Sequence, residues 1–283
     1  MSAKILDGKW VRDQILTDLK PRVDRLKQAQ RAPGLAVVLV GHDPASEIYV
    51  RNKIKACGDL GIYSEKITPP DTLSTEDLLG IVEGLNEREE IDGILVQMPL
   101  PAQVDKHSVL VSVRPDKDVD GFHPVSVGNL VANHPGPRAC TPAGIMEMLR
   151  RYEIPVAGKN AVVVGRSDIV GKPMALMLLH ANATVTICHS KTPDLPAVCR
   201  RADILVAAIG RAAFITEDFI QPGATVIDVG MNRKPDGKLI GDVDPEAMAR
   251  LSSAYTPVPG GVGPLTIAML MSNTVQAAEQ HLL

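Results

Sequence analysis

Aromatic residues are scarce in this chain. Its 283 residues include one tryptophan, four tyrosines and three phenylalanines, which together make up 3% of the sequence. A core with so few rings must be mostly aliphatic. The hydrophobic fraction of 45% is ordinary for a globular protein, and the length allows two domains or one large α/β unit.

Several other features are missing. No apolar run reaches the ~18 residues that span a bilayer, and the first residues lack a signal-peptide core. The formal net charge of −3 argues against a general nucleic-acid-binding protein. Cys57, Cys140, Cys188 and Cys199 show no Cys-x-x-Cys spacing, so neither a zinc site nor a disulfide framework is indicated. We therefore expect a cytoplasmic protein with no metal site and no membrane or nucleic-acid partner.

Short apolar segments alternate with helical ones, which predicts an α/β fold with a parallel sheet. A helix over residues 9–28 is expected to kink or break at Pro21. Residues 115–141 are rich in turn formers and are predicted to connect two halves, and Asp236-Gly237 predicts a hairpin. Buried strands are predicted at residues 34–41, 92–99, 160–165, 183–188, 203–209 and 224–230.

Tyr49 and Lys53 lie four residues apart in a predicted helix with Asp43 or Ser46 as its N-cap. This spacing places the phenol and the ammonium on neighbouring parts of one helix face, within reach of one ligand. An aromatic ring beside a titratable amine suits a flat heterocycle that gains or loses a proton. The alternative is a surface helix with a solvated lysine.

A glycine loop, Gly165-Arg-Ser-Asp-Ile-Val-Gly171, follows a predicted strand and precedes an apolar helix. This order is typical of phosphate binding, with free amides expected at the start of the helix, although the spacing is not Gly-x-Gly-x-x-Gly and any βα turn can carry glycine. The next strand ends without the acidic residue typical of NAD sites. Arg166 and Ser190, with Lys191 or His189, favour the 2′-phosphate of NADP unless they are solvated surface groups.

Eight segments together resemble the bifunctional methylenetetrahydrofolate dehydrogenase/cyclohydrolase family, and they cover nearly the whole chain. They are Pro44-Ala-Ser-x-x-Tyr-Val-x-x-Lys53-x-Lys-Ala, Asp92-Gly-Ile-Leu-Val-Gln-x-Pro-Leu-Pro101, Pro115-Asp-Lys-Asp-Val-Asp-Gly-Phe122, Cys140-Thr-Pro142, Gly165-Arg-Ser-x-Ile-Val-Gly-x-Pro173, Asp228-Val-Gly-x-Asn-Arg233, Gly241-Asp-Val243 and Tyr255-Thr-Pro-Val-Pro-Gly-Gly-Val-Gly-Pro264.

The resemblance implies two domains around a cleft: a folate domain of residues 1–138 plus a C-terminal helix at about 266–283, and a Rossmann-like NADP domain of residues 139–265. It implies a homodimer formed through the NADP domain. The implied activity is NADP-dependent oxidation of 5,10-methylenetetrahydrofolate and hydrolysis of the product to 10-formyltetrahydrofolate. This chemistry belongs to one-carbon metabolism and supplies formyl groups for purine synthesis.

The resemblance also implies roles for single residues. Tyr49 would stack on the pterin–aminobenzoate body, Lys53 would be catalytic, Gln97 would contact that lysine, and Asp120 would bind the pterin ring. The expected cofactor contacts are Gly165, Arg166, Ser167, Ile169, Val170, Gly171, Ser190, Gly210, Asn232 and Thr266.

The residues themselves suggest how the two steps divide. Hydride loss needs geometry more than acid or base, so the loop with Pro259, Gly260 and Gly261 is expected to line the substrate, unless it is only a rigid turn. Hydrolysis needs a proton shuttle, for which Lys53 is the best candidate. Gln97 can orient this amine without neutralising it, or can simply cap loose backbone groups.

Two departures from the family pattern concern the NADP half. Ala139 stands where relatives often have proline and is expected to loosen a hinge, and Arg211-Ala-Ala213 replaces the more usual Lys-Pro-Gly. A short-chain dehydrogenase also uses Tyr-x-x-x-Lys, but its glycine loop comes before that pair. The remaining alternative is a binding module without turnover.

Overall fold

The computed structural model describes residues 3–282. In chain order its strands are β1 (Lys4–Ile5), β2 (Gly34–Val38), β3 (Tyr63–Ile67), β4 (Gly93–Val96), β5 (Asn160–Val164), β6 (Thr184–Cys188), β7 (Ile204–Ala207), β8 (Thr225–Asp228), β9 (Asn232–Arg233), β10 (Leu239–Ile240) and β11 (Ala254–Tyr255). Its α-helices are α1 (Gly8–Gln28), α2 (Pro44–Leu60), α3 (Thr75–Asn86), α4 (Lys106–Ser112), α5 (Pro124–Val131), α6 (Cys140–Arg151), α7 (Gly171–His180), α8 (Leu195–Cys199), α9 (Pro245–Leu251) and α10 (Gly263–His281).

The chain divides into two compact units, with the divisions falling inside or next to helices. Residues 14–138 and 267–282 form the three-stranded unit, and residues 3–13 and 139–266 form the six-stranded unit. The position of β1 differs from the expectation that residues 1–138 all belong to the N-terminal domain. It lies in the six-stranded unit because β1 pairs in parallel with β11.

The three-stranded unit is built on a parallel sheet in the order β3-β2-β4. Its central strand β2 is buried at every position, as its continuous apolar run predicts. Helices α2 and α3 begin at side-chain caps: Asp43 accepts a hydrogen bond from the Ser46 amide, and Ser74 with Asp77 forms a capping box. These caps fix the residue at which each helix begins.

The six-stranded unit is a parallel sheet in the order β1-β11-β8-β7-β5-β6. From β5 the chain continues to β6 on one side and then returns to β7 on the other. Ligands of open α/β sheets bind beside the carboxyl ends of strands at such a switch in direction. Aliphatic side chains of β5, β7 and β8 form the core of this unit, including Val162, Leu205 and Val226.

Some predicted elements need correction. Helix α1 is continuous over Gly8–Gln28, so Pro21 lies inside the helix and does not break it. The predicted connection between the halves contains helix α5, whose Pro124 occupies the first turn, where its missing amide costs nothing. The hairpin at Asp236-Gly237 is confirmed by antiparallel pairing of β9 with β10. Within residues 3–282, no helix is long and apolar enough to cross a membrane.

Candidate active site

Lys53 lies on the buried face of α2. With Lys53 included, buried side chains recur along this helix every three or four residues: Ser46, Val50, Lys53, Cys57 and Leu60. Lys53 continues the same stripe and is only 9% exposed. Lysine is rarely buried unless its ammonium has partners. An amine held on the inner face of a helix is therefore a functional candidate, and the solvated-lysine alternative is wrong.

The partner of this amine is the side chain of Gln97, directly after β4. The Lys53 Nζ donates to Gln97 Oε1 at 3.0 Å, while Gln97 Nε2 donates to the Met98 carbonyl at 2.7 Å. The second bond fixes which end of the amide faces the lysine. Gln97 itself is anchored by its backbone amide, which donates to Val38 O at 2.8 Å. The sheet thus sets the position of the amine's partner.

Two aspartates near the lysine have different surroundings. Asp118 accepts hydrogen bonds from the amides of Gly121, Phe122 and His123 at 3.1, 3.2 and 2.8 Å, and so stabilises the turn. Asp120 is partly exposed, yet burial of its carboxyl raises the pKa to about 6. The positive charge of Lys53 lowers this pKa and the negative charge of Asp118 raises it. Asp120 is thus a carboxylate available for a cationic or hydrogen-bond-donating ligand.

Tyr49 lies one helical turn before Lys53 and at the edge of the buried stripe, with 40% of its surface exposed. Lys55, two residues beyond Lys53, is exposed on another side of the helix. The three-stranded unit therefore brings together Lys53, Gln97 and Asp120, with the Tyr49 ring on the neighbouring helix surface.

The predicted glycine loop follows β5 at the switch in strand direction. Gly165 has a φ of +132°, and a Cβ placed on it would lie 2.2 Å from the Ala208 carbonyl oxygen. A Cβ on Gly171 would lie 2.3 Å from the Gly165 carbonyl oxygen. Both positions need glycine because backbone approaches backbone. This is the close packing that a dinucleotide-binding turn requires.

The start of α7 differs from the expectation of free amides. The Ser167 hydroxyl accepts from the amides of Val170 and Gly171 at 3.3 and 3.2 Å, and the Lys172 amide donates to the Ser167 carbonyl at 3.0 Å. These three donors already have acceptors inside the loop. A phosphate at this loop would depend on the exposed Arg166 and Ser167 rather than on the first turn of the helix.

Parallel pairing brings further predicted cofactor residues together at the carboxyl ends of neighbouring strands. Val164 pairs with Cys188 and with Ala207, and Ala207 pairs with Asp228, so the loops that follow these strands are neighbours. Those loops carry the exposed Arg166, Ile169, Ser190 and Gly210 and the half-buried Asn232.

The loop of residues 257–263 follows β11 in the same unit and contains Pro259, Gly260 and Gly261. The Gly8 amide at the start of α1 donates to the Gly260 carbonyl at 2.9 Å, and a Cβ on Gly8 would lie 1.6 Å from the Gly261 carbonyl oxygen. Sequence reasoning missed Gly8. In the sequence, Gly8 is only a glycine in the first turn of a helix, a position that most residue types can occupy. That unusual choice of residue is the signal that could have identified it. Thr266 just beyond this loop shares a hydrogen bond of 2.8 Å with Thr141.

The two departures from the family pattern differ in their backbone geometry. Ala139 has a φ of −49° before α6, a value close to that of proline. Ala213 has a φ of +46°, in the left-handed region that favours glycine, and its amide donates to the Gly241 carbonyl at 3.0 Å. Arg211 covers the Phe214 ring at 4.4 Å. The loop therefore keeps a turn that glycine would adopt without strain.

Replacing Ala213 with glycine should stabilise the protein. A left-handed alanine costs roughly 1–2 kcal/mol of folding free energy, which glycine would remove. Glycine also makes the unfolded chain more flexible, which offsets about half of this gain, so the net stabilisation is about 0.5–1 kcal/mol. The free energy of unfolding in urea measures the change, with Ala212→Gly as the control that should destabilise. A less stable Ala213→Gly protein would contradict this assignment of strain.

Comparison with known proteins accounts for this arrangement. Residues 6–120 match the family model described as tetrahydrofolate dehydrogenase/cyclohydrolase, catalytic domain, and residues 139–282 match the corresponding NAD(P)-binding domain. The chain is 66% identical to the bifunctional protein FolD of Solibacter usitatus, over 98% of each chain.

Solved structures agree. The bifunctional FolD methylenetetrahydrofolate dehydrogenase/cyclohydrolase of Campylobacter jejuni is 46% identical over 99% of each chain, with a TM-score of 0.97. The Trypanosoma brucei FolD enzyme, solved with NADP and an inhibitor, is 37% identical over 100% of this chain and 99% of its own, with a TM-score of 0.95. On this evidence the chain belongs to the tetrahydrofolate dehydrogenase/cyclohydrolase family.

Proposed function

We propose that the protein oxidises 5,10-methylenetetrahydrofolate with NADP and hydrolyses the resulting methenyl compound to 10-formyltetrahydrofolate. The observation that carries this proposal is the Lys53 amine, held 3.0 Å from Gln97 Oε1 on an otherwise buried helix face. In this proposal the three-stranded unit binds folate and the six-stranded unit binds NADP. The product formyl group would enter one-carbon metabolism for purine synthesis.

Hydrolysis is the step that needs a proton shuttle. Water adds to the methenyl carbon, loses a proton, and a ring nitrogen must gain one before the carbon–nitrogen bond breaks. In this proposal Lys53 is the proton shuttle: as a free amine it would accept the first proton, and as an ammonium ion it would deliver the second. Gln97 Oε1 accepts a hydrogen bond from the amine but carries no charge, so the amine can still release a proton. A carboxylate at this position would instead stabilise the ammonium form. Tyr49 would keep the flat substrate beside this amine.

Oxidation places different demands on the chain. When bound, NADP supplies the acceptor for the hydride of the one-carbon bridge. The protein's task is positioning, since the neighbouring nitrogens stabilise the cation that remains. Gly165 and Gly171 allow the loop after β5 to pack closely against neighbouring backbone, which is the tight turn that a dinucleotide site uses. Pro259, Gly260 and Gly261 are proposed to contact the substrate, and Thr266 the cofactor.

A paired assay tests both activities. NADPH absorbance is followed with methylenetetrahydrofolate, and the decay of methenyltetrahydrofolate is followed without cofactor. Both should be observed, with kcat/KM for NADP above that for NAD because Arg166 and Ser190 lie on adjacent loops with no acidic residue at the end of β6. A preference for NAD would refute the cofactor roles of Arg166 and Ser190. Absence of both activities would favour the binding module without turnover.

Folate binding should weaken in acid because of Asp120. Two donors of the pterin ring are proposed to meet its ionised carboxylate. Burial raises the pKa of this carboxyl to about 6, so protonation removes the acceptor as the pH falls below that value. We expect Kd for tetrahydrofolate, measured by calorimetry, to rise about tenfold per pH unit below 6 and to stay level above 7.

The matched variant is Asp120→Asn, which keeps the shape and removes the titration. It should bind more weakly at pH 7 and show no acid limb. An unchanged acid limb in this variant would show that another group titrates and that Asp120 does not bind the ring.

We also propose a homodimer formed through the six-stranded unit. Strand β6 is at the edge of its sheet, and its Ile187 is 43% exposed, as Leu179 on the neighbouring α7 is at 53%. An apolar edge of this kind favours pairing with a second copy. Ile187→Lys should shift the mass in sedimentation from twice the 30.3 kDa chain towards the monomer. Val131→Lys, at a 59% exposed site of the other unit, is the control. A dimeric Ile187→Lys protein would exclude this edge.

A further inference from the structure

Two buried aspartates lie side by side at the carboxyl ends of β7 and β8, and the mechanism above uses neither. Asp228 ends β8, and Asp242 follows the β9–β10 hairpin. Asp242 is fully buried. The two are joined directly, because the Asp242 amide donates to Asp228 Oδ1 at 2.8 Å and the Val243 amide donates to Oδ2 at 3.0 Å.

The Asp242 carboxylate accepts four hydrogen bonds. Three come from consecutive backbone amides after β7: those of Ile209, Gly210 and Arg211 at 2.6, 2.9 and 2.8 Å. The fourth comes from Asn232 Nδ2 at 2.9 Å. Successive amides that converge in this way form a concave anion site. Here an anion of the protein itself fills the site, so these amides cannot hold a cofactor phosphate.

The filled site determines what the loop presents on its other side. In a trans peptide the N–H and the preceding C=O point in opposite directions. The carbonyls of Ala208, Ile209 and Gly210 therefore point away from Asp242. The Ala208 oxygen indeed faces the glycine loop, 2.2 Å from where a Cβ of Gly165 would be. Carbonyl oxygens presented at this sheet edge suit an amide donor such as the carboxamide of nicotinamide.

Two glycines make room for the aspartates. A Cβ on Gly230 would lie 2.4 Å from the Asp242 amide nitrogen and from its Oδ1, and a Cβ on Gly241 would lie 1.8 Å from Asp228 Oδ2. No other residue would allow the carboxylates to approach the backbone so closely. The loop after β7 and the hairpin after β8 are thus tied to one carboxylate.

We propose that Asp242 is a positioning residue for the nicotinamide cofactor. By binding the amides of residues 209–211 and the Asn232 side chain, it fixes both cofactor-side loops in the geometry that receives NADP. This inference rests on the proposed function, and it adds a residue that holds the cofactor-side loops without contacting the substrate.

The test compares NADP binding with hydrolysis, which requires no cofactor. Asp242→Asn replaces one acceptor oxygen with a donor facing other donors. Gly230→Ala keeps the charge but pushes Asp242 away from the same amides. In both variants we expect the calorimetric Kd for NADP to rise about tenfold or more, with hydrolysis of methenyltetrahydrofolate within about twofold of the wild type. Asp244→Asn, which alters the nearby cap of α9, should leave the Kd unchanged.

The outcomes separate the two proposals. An unchanged Kd in folded Asp242→Asn and Gly230→Ala proteins would overturn the positioning role. Equal losses of NADP binding and hydrolysis, with a lower Tm in both variants, would show a general structural role and overturn it as well. A wild-type protein that binds no NADP would overturn the proposed function itself.

Discussion

Replacing Lys53 with methionine should abolish hydrolysis while largely sparing oxidation. Methionine has a similar unbranched shape, so it can occupy the buried stripe of α2 without a cavity. It has no proton to exchange, and loss of a general acid–base group costs about 10²–10⁴-fold in rate. The rate of methenyltetrahydrofolate decay should fall by this factor. NADP reduction should fall less than about tenfold, because hydride loss depends on positioning.

The assay conditions matter because Lys53 also acts on Asp120. Its positive charge lowers the pKa of the Asp120 carboxyl, so the variant will hold a proton there at higher pH than the wild type. Rates should therefore be compared as kcat at pH 8, two units above the pKa of about 6 that the Asp120 carboxyl has in the wild type. Lys55→Met, at an exposed site on the same helix, is the control and should keep both activities. Equal retention of both activities in Lys53→Met would remove Lys53 from the mechanism.

Replacing Gly165 with alanine should produce the opposite pattern. The residue has a left-handed φ of +132°, and the new methyl group would lie 2.2 Å from the Ala208 carbonyl oxygen. Backbone strain of this kind costs about 1–3 kcal/mol, which corresponds to a loss of about 5- to 150-fold in NADP affinity if the loop must move. Hydrolysis should persist, because Lys53, Gln97 and Asp120 belong to the other unit.

Gly158 offers a matched control for this variant. It also has a left-handed φ, +74°, but a Cβ there meets no atom within 4 Å. Gly158→Ala should therefore lose stability of about 1 kcal/mol and keep its Kd for NADP. Calorimetry and thermal denaturation of the two alanine variants measure both effects. Normal NADP affinity in Gly165→Ala would mean that this turn does not form the cofactor site.

Local patterns predicted most of the regular fold. The continuous run from Gly34 to Val38 could be recognised as a buried central strand because a strand covered on both faces needs apolar side chains at every position. Asp43 marked a helix start because capping is decided within four residues. Lys53 and Gln97 come together because α2 follows β2 and β4 pairs with β2. Strand alternation predicted only a parallel sheet, and the contact itself was expected from the family resemblance.

Features that depend on distant backbone were missed. The sequence cannot reveal that the amides of residues 209–211 converge on Asp242, since the hairpin that carries Asp242 must first fold back. Gly8 similarly appears as an unremarkable helix residue until the Gly261 carbonyl is placed against it. Pro21 was expected to kink or break α1, and no break occurs, since a helix held by tertiary packing can continue through a proline.

The central claim is that the Lys53 amine itself carries the proton in hydrolysis. Lys53→Cys followed by alkylation with bromoethylamine rebuilds an amine at nearly the original length. The four native cysteines are 0–2% exposed, less than the 9% of Lys53, and the shorter cysteine side chain at position 53 leaves space for the reagent, which favours selective reaction. The measurement is methenyltetrahydrofolate decay before and after alkylation, with complete modification verified by mass spectrometry. We predict almost no hydrolysis in Lys53→Cys and recovery to a substantial fraction of the wild-type rate afterwards. A fully alkylated protein that remains inactive in hydrolysis, yet still reduces NADP, would contradict the claim.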